Sequence, residues 1–207
     1  IATTGNLIEG STIQFTGNFS DAGNQDTHTY TWNFGDGTVI NSDSLNVSHI
    51  YSDNGNYTVT LTVTDDDGGT DSNSINLTIG NVAPTIDQVI ISNLTPEQGE
   101  EITLSVIASD PGVNDNLSYF WNLDFSGVGT FVEGQEITYT YNETRTFTVQ
   151  AIVTDSIGSS ANFKQITVVN AAPTLTDVTI PTSGNEGEEL TFSATATDVN
   201  NRNLTYS

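Results

Sequence analysis

Residues 29–38, TYTWNFGDGT, carry the clearest local structural signal in the chain. Tyr30, Trp32 and Phe34 alternate with small or polar residues, and a period of two is typical of a strand with one buried face. The Gly-Asp-Gly that follows predicts a turn, because glycine tolerates positive φ and an aspartate side chain bonds back to the local backbone. We therefore predict a strand that runs into a turn.

Several motifs recur along the chain at nearly one spacing. YTW at 30–32 reappears as YFW at 119–121, and APT at 83–85 reappears at 172–174, each time 89 residues further on. A third motif is shared by three segments, which are EGSTIQFTGNFSD at 9–21, QGEEITLSVIASD at 98–110 and EGEELTFSATATD at 186–198. The chain is therefore predicted to be a tandem array with repeats at 1–80 and 81–169 and a partial third repeat at 170–207.

Each repeat is predicted to be an all-β sandwich of about seven short strands. Thr, Val, Ile and Tyr dominate the predicted strands, Gly, Asn, Asp and Ser dominate the connections, and no helical periodicity of useful length occurs. Because the chain has no cysteine, no disulfide joins the sheets, and we expect Trp32 and Trp121 to anchor the two cores. The alternative is that these indoles are exposed platforms for carbohydrate.

The first repeat resembles the PKD domain, an immunoglobulin-like module named after the polycystic kidney disease protein. The resemblance rests on WNFGDGT at 32–38, VSHIY at 47–51 and GNYTVTLTVTDDDGGT at 55–70, and covers the repeat except its opening strand, which the spacing places before Ile1. The second repeat diverges at WNLDFSGVGTF, where Phe125 and Ser126 replace small or acidic turn residues and weaken a turn-centred metal site. The resemblance implies an extracellular spacer or adhesion module, of a kind found in microbial surface-layer proteins, secreted proteases and chitinases, and animal surface receptors.

Composition limits the partners. The chain has 26 acidic residues but only three basic ones, giving a formal charge of -23, so it repels nucleic acid and attracts metal cations or cationic partners. No apolar run approaches the roughly 18 residues of a spanning helix, and no basic and apolar leader is present. We therefore predict no membrane span in this segment, and interpret a chain that begins at Ile1 as a mature or cut-out piece.

Catalytic groups are scarce in the sequence. The only histidines are His28 and His49, there is no cysteine nucleophile, and no serine lies in a GxSxG elbow. His49 lies between Val47 and Tyr51 at strand spacing, and we expect its ring to be packed and bonded to a neighbouring loop. Paired carboxylates occur only in predicted turns, so the sequence predicts a protein that is not an enzyme.

The turn acids have a geometric logic in such a sandwich, because two of its loops and the entering linker gather at one end. Clustered hard oxygens suit Ca²⁺, which takes six to eight such ligands at ~2.3–2.6 Å. Some PKD domains bind calcium, so the resemblance adds support for bound Ca²⁺, although no cofactor is predicted to be required. The alternative is that these acids form plain solvated turns. The candidate ligands are Asp21, Asp26, Asp65, Asp66 and Asp67 at this end of the first repeat, Asn81, Asp110, Asp115 and Asp155 in the second, and the Asp36 turn facing them.

Asn-x-Ser/Thr sequons predict a glycoprotein, since an extracellular β module exposes much Thr and Asn. The candidate acceptors are Asn18, Asn46, Asn56, Asn76, Asn93, Asn116, Asn142 and Asn203.

The leading hypothesis is a structural or adhesive extracellular repeat array, part of a surface layer or filament, whose partners are neighbouring copies, other surface proteins or glycans. The alternative is the accessory arm of a secreted hydrolase. A third hypothesis, a carbohydrate-binding module, needs exposed aromatic residues, whereas most aromatic residues here fall at inward positions. For the two ends of the chain we weigh a window onto a longer array against head-to-tail exchange of strands between subunits.

Overall fold

The computed structural model describes residues 1–23, 26–126, 129–155, 157–199 and 204–205. These residues form sixteen β-strands and no helix, so the all-β fold predicted from the sequence is confirmed. None of the described residues belongs to a helix long and apolar enough to cross a membrane.

Two sheets make up the first repeat. A three-stranded sheet has the order β1-β2-β5, and a four-stranded sheet has the order β4-β3-β6-β7. The strands are β1 Ala2–Thr4, β2 Thr12–Thr16, β3 His28–Asn33, β4 Val39–Ser42, β5 Asn46–Ile50, β6 Gly55–Asp65 and β7 Thr70–Ile79. The spacing placed the opening strand before Ile1, whereas β1 pairs with β2 through three residues within the chain.

The second repeat has the same pattern, with sheets in the orders β12-β9-β8 and β11-β10-β13-β14. Its strands are β8 Thr85–Ile91, β9 Glu101–Ser109, β10 Ser118–Asn122, β11 Phe131–Glu133, β12 Glu136–Thr140, β13 Thr146–Thr154 and β14 Ser159–Thr167. Beyond it, β15 Thr174–Thr179 and β16 Ser193–Thr197 form a two-stranded antiparallel sheet.

The chain divides into two compact units whose limits differ from those of the repeats. Unit 1 contains Ile1–Asp87 together with Ala108–Ser118 and Val153–Ser160, which are loop segments of the second repeat. Unit 2 contains Gln88–Ile107, Tyr119–Ile152 and Ala161–Ser207. Two loops of the second repeat therefore belong to the same compact unit as the whole first repeat.

The core of the first repeat is built around Trp32, which is fully buried. Its ring lies near those of Phe15 and Phe34, with centroids 6.0 and 6.3 Å away. Buried aliphatic side chains of β2, β6 and β7 complete the core. The period of two in TYTWNF thus directs alternate side chains inward, as the strand prediction requires.

Trp121 has the equivalent position in the second repeat and is also fully buried. Its indole Nε1 donates to the carbonyl oxygen of Gly134 at 3.0 Å. In each repeat a tyrosine hydroxyl then fixes the turn after the tryptophan strand, because Tyr51 donates to Phe34 O and Tyr141 donates to Leu123 O, both at 3.0 Å. Neither indole is available to stack on a carbohydrate.

Truncation of either tryptophan tests its role in the core. Trp32→Ala and Trp121→Ala are each expected to destabilise their own repeat by about 3–5 kcal/mol, because burial is lost and a cavity remains. Chemical denaturation followed by circular dichroism measures the loss, with the exposed-site substitution Thr29→Ala as control. A variant that unfolds at the same denaturant concentration as the parent would contradict the assignment.

Candidate cation site

Five carboxylates form an acidic cluster in unit 1, made of Glu9, Asp53, Asp110, Asp115 and Asp155. Ligand atoms of Glu9, Asp53 and Asp115 lie within 4.8 Å of one another, and so do those of Asp110, Asp115 and Asp155. Two oxygens bound to one Ca²⁺ at ~2.3–2.6 Å are at most about 5 Å apart. Both groups therefore have a spacing that one cation could bridge, and Asp115 is common to both.

Burial leaves several of these oxygens without a partner. Glu9 is only 1% exposed, yet its Oε2 accepts no hydrogen bond from the residues that the structure describes, while its Oε1 accepts from Val82 N at 2.7 Å. Oδ2 of Asp110 and Oδ2 of Asp115 are also buried and have no partner among these described residues. Buried unpaired acceptors carry a desolvation cost that a bound cation would remove.

Turns of the second repeat orient two of the three carboxylates that it contributes, those of Asp110 and Asp155. Asp155 Oδ1 accepts from the backbone N–H groups of Ile157 and Gly158, at 2.7 and 2.6 Å. Asp110 Oδ1 accepts from Gly112 N at 2.8 Å, which leaves Oδ2 free to face the cluster. These short-range bonds orient the carboxylates through backbone geometry that needs no long-range contact.

Asn81 connects the linker to the same group. Its Nδ2 donates to Asp155 Oδ2 at 2.8 Å, and its Oδ1 accepts from Asn54 Nδ2 at 2.8 Å. The amide therefore acts as a support for Asp155, with both of its polar ends in hydrogen bonds.

Gly112 has no side chain, and this gives room for the carboxylates of the acidic cluster. A Cβ at this position would lie 2.9 Å from Glu9 Oε2 and would collide with Asp115 Oδ2. A larger residue would shift the carboxylate groups of Asp115 and Glu9, so the glycine favours the close approach of these oxygens.

The electrostatic environment of the acidic cluster is unbalanced. Desolvation raises the pKa of Asp115, and the nearby charges of Glu9 and Asp110 raise it further. For Asp155, desolvation raises the pKa, but hydrogen bonds from Asn81 and the turn backbone outweigh it and leave the pKa lowered. Unit 1 contains no lysine or arginine in its sequence, so no fixed basic side chain of the unit offsets these charges.

The structure brings together four of the ten residues predicted as ligands, namely Asn81, Asp110, Asp115 and Asp155.

At the other end of the first repeat, Asp65 Oδ1 accepts from Gly69 N at 2.7 Å and Asp66 Oδ1 accepts from Thr27 N at 3.2 Å. Asp21 binds Gly23 N and His28 Nε2, at 2.9 and 2.7 Å. Asp26 is half-buried and Asp67 is exposed. Among the described residues, none of these five joins a group of three ligand atoms within 4.8 Å.

Glu9 and Asp53 belong to the acidic cluster but were not among the predicted ligands. Both precede the linker in sequence and reach the cluster only through tertiary structure. Glu9 does carry a sequence signal, because it opens the motif shared with residues 98–110 and 186–198, where an acid or its amide recurs.

The predicted glycan acceptors lie at different depths. Asn93 is half-buried, and its side chain bonds Thr95 N and Glu100. Asn203 lies outside the described residues. The remaining six acceptors are exposed, and they are Asn18, Asn46, Asn56, Asn76, Asn116 and Asn142.

Asp36 lies apart from the acidic cluster, within the GDG turn. Its Oδ2 accepts from His49 Nε2 at 2.7 Å and its Oδ1 accepts from Thr38 N at 2.8 Å. The His49 ring stacks on Phe34 with centroids 4.1 Å apart, so its role is the structural one expected from the sequence. Desolvation raises the Asp36 pKa, but the bonds from Thr38 and His49 lower it more, and the pKa is lowered overall.

This lowered pKa predicts acid sensitivity of the first repeat. A carboxyl group with a lower pKa in the folded state stabilises above its unfolded pKa, and that contribution is lost as the pH falls through the folded pKa. Stability of the first repeat should therefore fall between about pH 5 and pH 2. In Asp36→Asn this part of the pH dependence should be weaker, and the stability at neutral pH lower by about 1 kcal/mol. Urea unfolding across this range measures both, and equal slopes in parent and variant would contradict the prediction.

Seven-stranded repeats with a buried tryptophan strand and acids gathered in their connecting loops define the chain as a tandem immunoglobulin-like protein. The PKD domain profile matches residues 1–79 and, a second time, residues 81–169. The chain belongs to the PKD domain family, which confirms the resemblance noted in the sequence.

Similar proteins include large and varied ones. Polycystin-1 of Homo sapiens is 27% identical over 183 residues, which cover 80% of this chain and 4% of polycystin-1. Collagenase ColA of Bacillus cereus is 32% identical over 111 residues, which cover 48% of this chain and 11% of the collagenase. The chain thus spans a small fraction of either relative. Among solved structures, the fibronectin(III)-like modules of Clostridium thermocellum CbhA have a TM-score of 0.35 at 14% identity, covering 80% of this chain and 89% of theirs.

Proposed function

We propose that this chain is a non-catalytic structural segment of an extracellular protein, in which tandem repeats act as a spacer and calcium binds at the acidic cluster. The observation that carries the proposal is the buried carboxylate of Glu9, whose Oε2 has no hydrogen-bond partner among the described residues and which lies in a cluster with four other carboxylates. Calcium would link loops 108–118 and 153–160 to the first repeat, because the five ligands come from all three segments.

The donor set favours calcium over other metals. All five side chains offer oxygen, and the chain has no cysteine. Its two histidines bond to Asp21 and Asp36, outside the acidic cluster. Hard oxygen ligands in an irregular arrangement suit Ca²⁺, whereas Mg²⁺ demands a near-ideal octahedron and keeps several waters. Calcium sites in extracellular modules have Kd values of ~10⁻⁴–10⁻³ M, an affinity suited to the high calcium concentration outside cells.

The extracellular role has support from several features. The chain has few basic residues, six of its sequons have exposed asparagines, and the chain belongs to the PKD domain family. Assembly with neighbouring copies in a surface layer or filament is the form of this role that we favour, because strong net acidity suits calcium-mediated contacts between like surfaces.

The accessory arm of a secreted hydrolase is the second candidate. The similarity to a Bacillus cereus collagenase favours it, since that enzyme contains a segment like this one. The sequence of the native protein on either side of this chain separates the two functions. A neighbouring catalytic module would favour the arm, whereas further PKD repeats leading to an anchor would favour the surface array.

Calcium is expected to raise the melting temperature of the protein. A ligand that binds only the folded state stabilises it by about 2.7 kcal/mol at 100 times its Kd, which corresponds to a shift of about 5–10 °C for a chain of this size. Differential scanning calorimetry in chelator and in millimolar calcium measures the shift. Titration calorimetry without heat, together with an unchanged melting temperature, would contradict the proposal.

Asp115→Asn is the matched variant, since Asp115 belongs to both groups of the acidic cluster. We expect it to lose most of the calcium shift and to melt higher than the parent in chelator, because like-charge repulsion is relieved. Asp67→Asn makes the same charge change at an exposed turn and should keep the full calcium shift. An equal shift in all three proteins would place the calcium elsewhere.

Glycan occupancy at the exposed sequons is a separate proposal. Mass spectrometry of peptides from the native protein is expected to show sugar mass on Asn18, Asn46 or Asn116, whose side chains are exposed. Unmodified peptides at all three positions would contradict it.

A further inference from the structure

One backbone arrangement occurs twice in this chain, once at Glu9 and once at Gln98. Glu9 N donates to Gly80 O at 3.0 Å, and Gln98 N donates to Val169 O at 2.9 Å. The residue before Glu9 or Gln98 also forms a parallel β-bridge with the same partner residue. These bridges join Ile8 to Gly80 and Glu97 to Val169. We name these arrangements the Glu9 frame and the Gln98 frame; the first lies in unit 1 and the second in unit 2.

In each frame the glycine after Glu9 or Gln98 donates to a tyrosine carbonyl and lies close to a residue of the next repeat. Gly10 N donates to Tyr51 O at 2.9 Å, and Gly99 N donates to Tyr141 O at 3.0 Å. A Cβ on Gly10 would lie 3.0 Å from Pro111, and a Cβ on Gly99 would lie 3.0 Å from Val199. Pro111 follows Asp110 and Val199 follows Asp198, the equivalent aspartates of the repeats. The two frames therefore share backbone geometry and differ in side-chain chemistry.

The first chemical difference is a carboxylate against an amide. Glu9 and Gln98 are both buried, at 1% and 7% exposure. Within the described part of the chain, Glu9 Oε2 has no hydrogen-bond partner, whereas Gln98 Nε2 donates to the carbonyl oxygen of Asn142. An amide supplies its own donor, so this frame satisfies a local carbonyl without any added group.

The carbonyl that Gln98 binds has a counterpart in the Glu9 frame. Ser52 and Asn142 each follow the tyrosine that accepts from the frame glycine. Ser52 O accepts from Val113 N of the second repeat at 2.9 Å, while Asn142 O accepts from the side chain of Gln98. A carboxylate at position 9 has no donor for this carbonyl, and no lysine or arginine of unit 1 balances its charge.

The second difference is the neighbouring acid. Asp53 and Glu143 occupy equivalent positions, two residues after the tyrosine of each frame. Asp53 belongs to the acidic cluster, whereas Glu143 Oε2 accepts from Arg145 Nε at 3.0 Å. Unit 2 therefore provides a fixed guanidinium for its acid, and unit 1 has no lysine or arginine in its sequence.

We propose that Glu9 makes its frame dependent on a bound cation, whereas Gln98 makes its frame independent of one. This inference rests on the proposed calcium site. It adds that the carboxylate of Glu9, from the preceding repeat, determines whether a cation binds there. Tandem PKD repeats with this motif would then contain two kinds of connection, distinguished by Glu or Gln before the glycine. Only the connection with Glu before the glycine would bind the divalent cation.

The test compares Glu9→Gln with the parent by calcium titration calorimetry and by melting in chelator. Loss of a supporting residue outside the ligand shell typically weakens metal binding about 10–100-fold, so loss of the Glu9 ligand is expected to weaken calcium binding at least about tenfold. In chelator the variant should melt at a higher temperature than the parent, because an amide replaces a buried carboxylate whose Oε2 has no partner among the described residues. Glu186→Gln makes the same change at the equivalent exposed position of the third motif and should leave both measurements unchanged.

The reverse substitution gives an independent measurement. Gln98→Glu removes the donor to Asn142 O and is expected to lower the melting temperature in chelator, opposite in sign to Glu9→Gln. Should Glu9→Gln fail to fold, Asp53→Asn replaces it and is expected to weaken calcium binding in the same way.

The outcomes separate this inference from the proposed function. A parent that binds no calcium overturns the proposed site and the inference with it. A parent that binds calcium, with unchanged affinity in Glu9→Gln or, if that variant does not fold, in Asp53→Asn, overturns the inference and leaves the proposed function standing. Weakened binding in Glu9→Gln with normal binding in Glu186→Gln supports both.

Discussion

The fold depends on burying one indole in each repeat without help from a disulfide. Trp32 and Trp121 lie on the strand that precedes the variable turn, and both are fully buried. The hydroxyls of Tyr51 and Tyr141 then bond to the backbone just after these strands. This combination fixes the exit of the tryptophan strand, so the first turn can contain GDG and the second can contain a bulkier sequence without loss of the core.

Much of the architecture could be predicted because β-sandwich signals are local. The alternation in TYTWNF and the turn residues after it define a strand and its inward face. The spacing of 89 residues then extends the prediction of this strand and turn to the second repeat. The three residues of β1 were harder, since a short edge strand has too few positions for a periodic pattern and is identified only by its pairing with β2.

The candidate site was predictable in part, for a physical reason. Asp110, Asp115 and Asp155 lie in loops whose end of the sandwich follows from topology, so sequence alone could group them. Glu9 and Asp53 enter the acidic cluster from the preceding repeat, and their approach depends on tertiary contacts that no local pattern records. Asp36 shows the opposite case. Its position in a turn made it a predicted ligand, but its carboxylate bonds to His49, which the tertiary structure brings beside it.

Charge compensation differs between equivalent positions of the two units. In unit 2, Arg145 bonds both Glu143 and Asp124, and position 98 is a neutral glutamine. Where lysine and arginine are absent, the carboxylates of Glu9, Asp53 and Asp115 have no such partner in unit 1. A buried carboxylate without a partner weakens the fold unless it is neutralised by a proton or balanced by a cation from solution. Under the proposed calcium site, the scarcity of basic residues is an advantage, because a lysine or arginine near this cluster would compete with the cation for the same oxygens.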